Sequence, residues 1–386
     1  MRILEVREKT VPLEGNIQNA VISFNDHTVS LVALVSDQIK NGKPVIGFAF
    51  NSIGRFGQSG IINGRLADRI INSDTLLDQE GHFSPALVAG AAMKNEKPGG
   101  HGDRAGAVAA IELAAWDLRA KMNDEPAYAT IAKTFQRDIS DASTSVYAAG
   151  GYYYPGNSTE QLKAELREYL DQGYTSFKIK IGGALLNQDM RRIESALEIT
   201  GKGSALSVDA NGRFDLKQAL NYARAIQPLN LRWLEEPGDP LDFQLNQLLI
   251  DEYQGPIATG ENLFSRIDSL NLIRFGGMRP DIDIFQMDPG LSYGLTEYAA
   301  ILADLESAGF NRRECWPHGG HLINLHTAIG LELGGCEAYP GVFQPFGGYS
   351  DACGIEDGSV TAPSAPGFGL ETKPELIHHL KELRGD

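Results

Sequence analysis

From Arg2 to Leu13, Thr28 to Asp37 and Pro44 to Phe50 the chain alternates apolar and polar residues or runs apolar, with Asn41-Gly42-Lys43 between the last two. A strand sends successive side chains to opposite faces, so this pattern predicts a short antiparallel meander. From Asp103 the period lengthens. Val108, Ile111, Ala115, Leu118 and Met122 recur at three- and four-residue steps, which predicts a helix with Asp103 as its cap. After Asp141 strand patterns return at Ser145–Gly150, Ser176–Ile181, Ala205–Ala210, Leu231–Glu236, Pro256–Gly260, Asp283–Asp288, Arg313–Pro317 and Cys336–Tyr339, with helical stretches between them. Ser158 with Gln161, Asp215 with Gln218 and Ser265 with Asp268 are the start signals of three of those helices. Alternation repeated this often predicts a parallel α/β sheet, and eight units predict a closed barrel. A doubly wound open sheet is the alternative. The tail past Pro345 is rich in Gly and Pro and ends in a helix over Pro374–Leu383, expected to pack back on the N-terminal unit. The expected division is a capping unit over 1–141, a barrel over 142–340 and a C-terminal segment over 341–386.

The 386 residues suffice for a barrel and a second unit. Acidic residues outnumber basic ones, 50 to 34, for a formal net charge of -16. Such a surface disfavours nucleic acid, whose phosphates need a basic footprint, and it directs attention to carboxylates gathered by a cation. The chain has no apolar run of about 18 residues, and Met1-Arg2-Ile3-Leu4-Glu5-Val6-Arg7 lacks a signal-peptide core. The expectation is a soluble, cytoplasmic protein with no membrane partner. Cys315, Cys336 and Cys353 are odd in number and contain no Cys-x-x-Cys pair, so they read as reduced thiols.

Lys178 and Lys180 alternate with Phe177, Ile179 and Ile181 and therefore share one strand face. Alone, Lys-x-Lys also describes an edge strand facing water. Inside a fold the two ammonium groups need carboxylates, and desolvation beside another cation lowers a lysine pKa towards that of a base. The ends of the predicted barrel strands supply acids: Asp209, Glu235 and Glu236, Glu261, Asp288 and Glu337, with Asn211, Asn262 and His318 among them. Chemistry in such a barrel sits at those ends. Asp209, Glu235 and Glu261 fall at equal intervals along the chain, one from each successive unit. Three carboxylates with no Cys or His among them describe a hard-cation site, Mg2+ above all, with positions left for substrate oxygens.

Lys178-Ile179-Lys180, Val208-Asp209-Ala210-Asn211, Leu234-Glu235-Glu236-Pro237, Thr259-Gly260-Glu261-Asn262, Asp288, His318, Glu337 and the stretch Ala114-Ala115-Trp116-Asp117-Leu118 together resemble the mandelate racemase subgroup of the enolase superfamily. The resemblance implies an α+β cap, completed by the C-terminal segment, over a modified (β/α)7β TIM-type barrel. It also implies Mg2+ held by Asp209, Glu235 and Glu261, and removal of a proton alpha to a carboxylate. In that chemistry Lys180 is the base and His318 the acid on the opposite side of the substrate, with Asp288 fixing the imidazole tautomer. Lys178 is expected beside the substrate carboxylate, and Glu337 hydrogen-bonded to it in the protonated form. The stretches Asn95 to Gly102, Ala148 to Gly156, Gly276 to Asp281 and Phe343 to Gly348 resemble the branch that dehydrates D-tartrate. That likeness adds Asn19, Asn51, Lys97 and Tyr152 as substrate contacts, with Arg55 a rival to Lys97 for a distal carboxylate. The partner expected is thus a small acid sugar, and a homo-oligomer is compatible with it. Dehydration of another acid sugar, racemisation or epimerisation of a 2-hydroxy acid, and simple acid binding stay open as alternatives.

Overall fold

The computed structural model describes residues 1–15, 17–154 and 159–385. The meander forms as a three-stranded antiparallel sheet of β1 (Ile3–Pro12), β2 (Thr28–Lys40) and β3 (Lys43–Phe50) in the order β1-β2-β3. Asn41 and Gly42 make its tight turn, with φ of 51° and 75°. One face of the sheet packs on the helix Asp103–Met122, whose alanines let the backbones close up. Contact is tight enough that a Cβ on Gly47 would lie 2.1 Å from the Ala114 carbonyl oxygen. Asp103 does not cap this helix. Gly102 occupies the cap with φ 92°, a conformation glycine adopts freely, and Asp103 is the first helical residue, where its charge meets the positive end of the helix dipole.

The barrel strands β4 (Ser143–Gly150), β5 (Phe177–Lys180), β6 (Leu206–Asp209), β7 (Leu234–Glu235), β8 (Ile257–Thr259) and β9 (Ile284–Phe285) run parallel, each paired with the next. β10 (Cys336–Ala338) returns to pair with β4, Glu337 opposite Tyr147. The predicted strand Arg313–Pro317 is the departure. Arg312–Glu314 is a turn of 3-10 helix closed by Asn311 and Glu314, and a single parallel bridge joins Cys315 to Phe285. Pro317 has no N–H to extend a ladder. The segment still fills the gap, because Trp316 N donates to Phe285 O at 2.8 Å and Gly334 N to Cys315 O at 3.1 Å. The sheet therefore closes as a (β/α)7β barrel and the open doubly wound alternative is set aside. Asp215 and Ser265 cap their helices, accepting from Gln218 N at 2.7 Å and Asp268 N at 3.2 Å; the start signal at Ser158 lies outside the described residues. Unforeseen was a hairpin, β11 (Gly354–Glu356) and β12 (Ser359–Thr361), that adds antiparallel to the start of β4.

Buried carboxylates join these parts. Glu112 of the helix Asp103–Met122 accepts from Leu295 N at 2.8 Å and Thr296 N at 3.0 Å, at the start of the barrel helix Leu295–Ser307. Asp117 accepts from Phe48 N and Phe368 N, each at 2.7 Å, linking β3 to the C-terminal tail. Cys315, Cys336 and Cys353 are free thiols, the first two buried. Among the described residues no helix is long and apolar enough to cross a membrane.

His326, in the helix Leu322–Gly330, stacks on Tyr128 at 5.5 Å and meets Phe368 edge-on at 5.8 Å. Burial pushes its imidazole down to about 3 from an ordinary 6.5. Folded His326 thus stays neutral while the unfolded chain takes up a proton, so the stability it contributes is complete above pH 6.5 and is lost as pH falls towards 3. The expected slope is about 1.4 kcal/mol per pH unit. Urea unfolding of His326→Gln should fall less steeply between about pH 6 and 4.5 by that amount. Parallel curves for variant and parent would assign the acid sensitivity elsewhere.

Candidate active site

β5 turns Lys178 and Lys180 into the barrel, where they are 1% and 6% exposed. The water-facing edge strand is excluded. Lys178 Nζ lies 2.5 Å from Glu235 Oε1, 2.7 Å from Glu337 Oε1 and 3.5 Å from Asp209 Oδ2. Lys180 Nζ donates to Asp209 Oδ2 at 2.5 Å. Each ammonium also sits over an aromatic ring, Lys178 over Tyr147 at 5.4 Å and Lys180 over Tyr152 at 5.2 Å. Burial works to lower Lys178, but Glu235 and Glu337 outweigh it and hold the ammonium well above its ordinary value.

Asp209 ends β6 and Glu235 ends β7, both fully buried, and Glu261 follows β8. Burial opposes ionisation of Asp209, yet Lys180 and Lys178 keep it well below the usual carboxylate range. Glu235 is pushed up to about 8 by burial and by the Asp209 charge, in spite of Lys178. Glu236, beside Glu261, is likewise raised by burial and adjacent charge. Asp209, Glu235, Glu236, Glu261 and Glu337 thus face two ammonium groups, and the excess of negative charge adds to burial in raising Glu235 and Glu236. Such a donor set fits a hard divalent cation. Among the described residues no three such side chains already close on one point, since Glu235 and Asp209 are turned to the lysines. Asn211 leaves its buried Oδ1 without a partner next to Asp209, a further oxygen at the edge of the cluster.

His318 and Asp288 meet across the mouth, His318 Nδ1 lying 3.1 Å from Asp288 Oδ2. Asp288 Oδ1 accepts from Gly290 N at 2.8 Å and from Asn324 Nδ2 at 3.1 Å. The Asn324 amide also reaches the carbonyls of His318 and Gly319. A Cβ on Gly319 would lie 2.9 Å from the side chains of Asn324, His321 and Ser52, so this turn admits glycine alone. Burial would depress the imidazole, but Glu261 at 3.8 Å, Asp288 and Glu337 carry it to about 9. Glu337 accepts from Gly319 N at 2.9 Å. Although burial favours its neutral form, Lys178 and His318 hold it below the ordinary range.

The four further substrate contacts have different fates. Tyr152 lies beneath Lys180, edge-on to Phe24 and Phe343. Asn19 Oδ1 accepts from Val21 N and Ile22 N at 2.8 Å, shaping a loop that binds Tyr153 N through Gln18 O. Asn51 is buried with its amide committed to Ser30 N at 2.6 Å and Phe56 O at 3.3 Å. Lys97 is exposed and opens onto a separate cavity of about 460 Å3 lined by His101, Arg104 and Tyr293. Arg55 touches Asn262, whose amide donates to Glu236 and Glu261, and stacks on Phe264 at 5.0 Å. Sequence reasoning missed Gln286 and Trp233, which donate to Glu235 Oε2 at 2.7 and 2.9 Å, and missed Asn324 and Tyr339 beside the imidazole. Gln286 was the legible one, a polar residue inside a predicted buried strand.

The sequence model of the enolase C-terminal domain-like family matches residues 161–376. Arabinonate dehydratase of Saccharolobus solfataricus is 24% identical over 283 residues, 71% of this chain and 72% of that protein. L-talarate/galactarate dehydratase of Salmonella typhimurium is 26% identical over 326 residues, 84% of this chain and 77% of the other. A racemase from Streptomyces coelicolor A3(2), solved with bound magnesium, superposes with a TM-score of 0.79 at 22% identity, covering 99% of both chains. L-talarate dehydratase from Polaromonas sp. JS666, complexed with Mg and L-glucarate, superposes with a TM-score of 0.74 at 23% identity, covering 98% of this chain and 96% of that one. The family match spans more than half of the chain, over a barrel and a cap shared with those structures, and the chain belongs to the enolase superfamily.

Proposed function

We propose that this protein is a Mg2+-dependent dehydratase of an acid sugar, D-tartrate above all, with oxaloacetate as the product. The observation that carries the reading is a buried lysine and a His–Asp pair bordering one cluster of carboxylates. A protein that only binds an acid has no use for that arrangement. The relatives that dehydrate acid sugars support the reaction class. The narrower substrate rests on the D-tartrate dehydratase-like stretches, among them Asn95 to Gly102 and Phe343 to Gly348.

Asp209, Glu235 and Glu261 would hold Mg2+, which when bound offsets the negative charge that builds on a substrate carboxylate as its alpha proton leaves. Lys178 adds a fixed positive charge to the same end of the substrate. Lys180 takes the alpha proton first, the electron pair of the C–H bond passing into the carboxylate to give an enediolate, and the return of that pair expels the beta-hydroxyl. His318 gives that hydroxyl the proton on Nε2, so that water leaves and the remaining enol tautomerises to a keto acid. Asp288 holds Nδ1–H, which fixes Nε2 as the working nitrogen. Tyr152, beneath Lys180, and the loop shaped by Asn19 contact the substrate, and Asn51 acts through the loop it ties down. For the distal carboxylate Arg55 is the stronger candidate, because Lys97 opens onto the other cavity.

The test is a screen of purified protein with Mg2+ against D-, L- and meso-tartrate, hexarates and hexonates, scored for keto acid. Product from D-tartrate alone is the expected result. Product from a longer acid sugar alone would discard D-tartrate, and an inverted substrate with no keto acid would replace dehydration by epimerisation. Excess EDTA should silence the enzyme and Mg2+ restore it; full turnover in EDTA would remove the metal from the mechanism.

A further inference from the structure

Two residues beyond Glu337, and so on the same face of the strand end, stands Tyr339. It is 3% exposed, packed edge-on against Phe343 at 4.8 Å, and its hydroxyl lies 3.0 Å from His318 Nε2. Asp288 engages the other ring nitrogen, so Nε2 is the one left to deliver a proton. A phenol both donates and accepts, and it therefore satisfies Nε2 whether that nitrogen is bare or protonated. The phenol itself stays neutral, because burial and the Glu337 charge raise it well above its ordinary value.

We propose that Tyr339 is a positioning residue for the protonation half of the reaction: its hydroxyl holds the Nε2 side of the imidazole as Asp288 holds the Nδ1 side. This rests on the dehydratase reading above. Held from both edges, the ring is already oriented before substrate binds, and the leaving hydroxyl takes over from Tyr339 as the acceptor of the Nε2 proton. The proton transferred comes from His318, and Tyr339 keeps its own. A purely structural role predicts otherwise, since phenylalanine would pack against Phe343 equally well and no rate would change.

The test is Tyr339→Phe assayed with D-tartrate and Mg2+. We expect kcat for dehydration to fall about 10- to 100-fold, the size of one lost hydrogen bond to a charged group. KM, the unfolding midpoint and exchange of the alpha proton with solvent deuterium should stay at their parent values, because Lys180 performs the exchange. A parent-like dehydration rate, or exchange and dehydration falling together, would overturn the proposal. If the parent enzyme dehydrates no acid sugar, the functional reading fails and takes this inference with it. The 15N resonances of His318 give a readout independent of activity: the Nε2 signal should move in Tyr339→Phe, and an unmoved signal would also overturn it.

Discussion

Lys180→Ala is expected to fold, to bind Mg2+, and to lose dehydration by about 1,000- to 10,000-fold, together with exchange of the alpha proton in deuterium oxide. The argument begins with position. Lys180 ends β5, is buried, and reaches Asp209 on one side while lying over the Tyr152 ring on the other. An uncatalysed alpha C–H beside a carboxylate is a very weak acid, so a base must be held against it, and alanine offers none. Lys178 cannot take over, because Glu235 and Glu337 fix its ammonium and hold its pKa up. Removing the ammonium also deprives Asp209 of a partner, but Lys178 remains 3.5 Å away, so the carboxylate is not left alone. Titration calorimetry with Mg2+ separates a lost base from a lost metal site. Normal turnover in this variant would exclude Lys180 as the base.

His318→Asn should divide the reaction in two. Dehydration is expected to fall by about 100- to 10,000-fold, the range for loss of a positioned acid, while alpha-proton exchange continues. The division follows from the two residues standing on different walls: Lys180 on β5, His318 after the segment that bridges to β9. An acid must carry its proton at the working pH, and His318, carried to about 9 by Glu261, Asp288 and Glu337 against the effect of burial, does so at neutrality. Asparagine keeps a polar group near Asp288 but has no proton to give at that pH. The measurement is deuterium incorporation into recovered substrate beside keto-acid formation. If both processes survive, the leaving hydroxyl is protonated by another group; if both vanish, His318 also serves the first step.

The parts of this protein legible without coordinates are those that repeat locally. Period-two alternation identified β1 to β3, and strand–helix alternation the barrel, because burial on one face imposes its period on the residues that face it. The same rule put Lys178 and Lys180 on one inward face and identified the acids at the strand ends, since polar residues where a core would want apolar ones stand out in the string. Helix starts at Asp215 and Ser265 were equally visible, as each depends on three neighbouring residues.

What the tertiary structure decided concerns partners distant in sequence. Nothing near Asp288 says that it meets His318, that Asn324 braces both, or that Tyr339 closes the imidazole from the other edge. Asn51 and Lys97 show the same limit from the other side: both are polar residues in loops, and the fold ties one to the cap backbone and opens the other onto a separate cavity. Even ionisation depended on the fold, for Lys178 and Glu337 are neighbours only through the pairing of β4 with both β5 and β10, and that proximity raises the lysine and lowers the carboxyl. Sequence period determines which face a side chain takes; the register of strands distant along the chain decides which charges then lie within 3 Å of each other, and with them the chemistry.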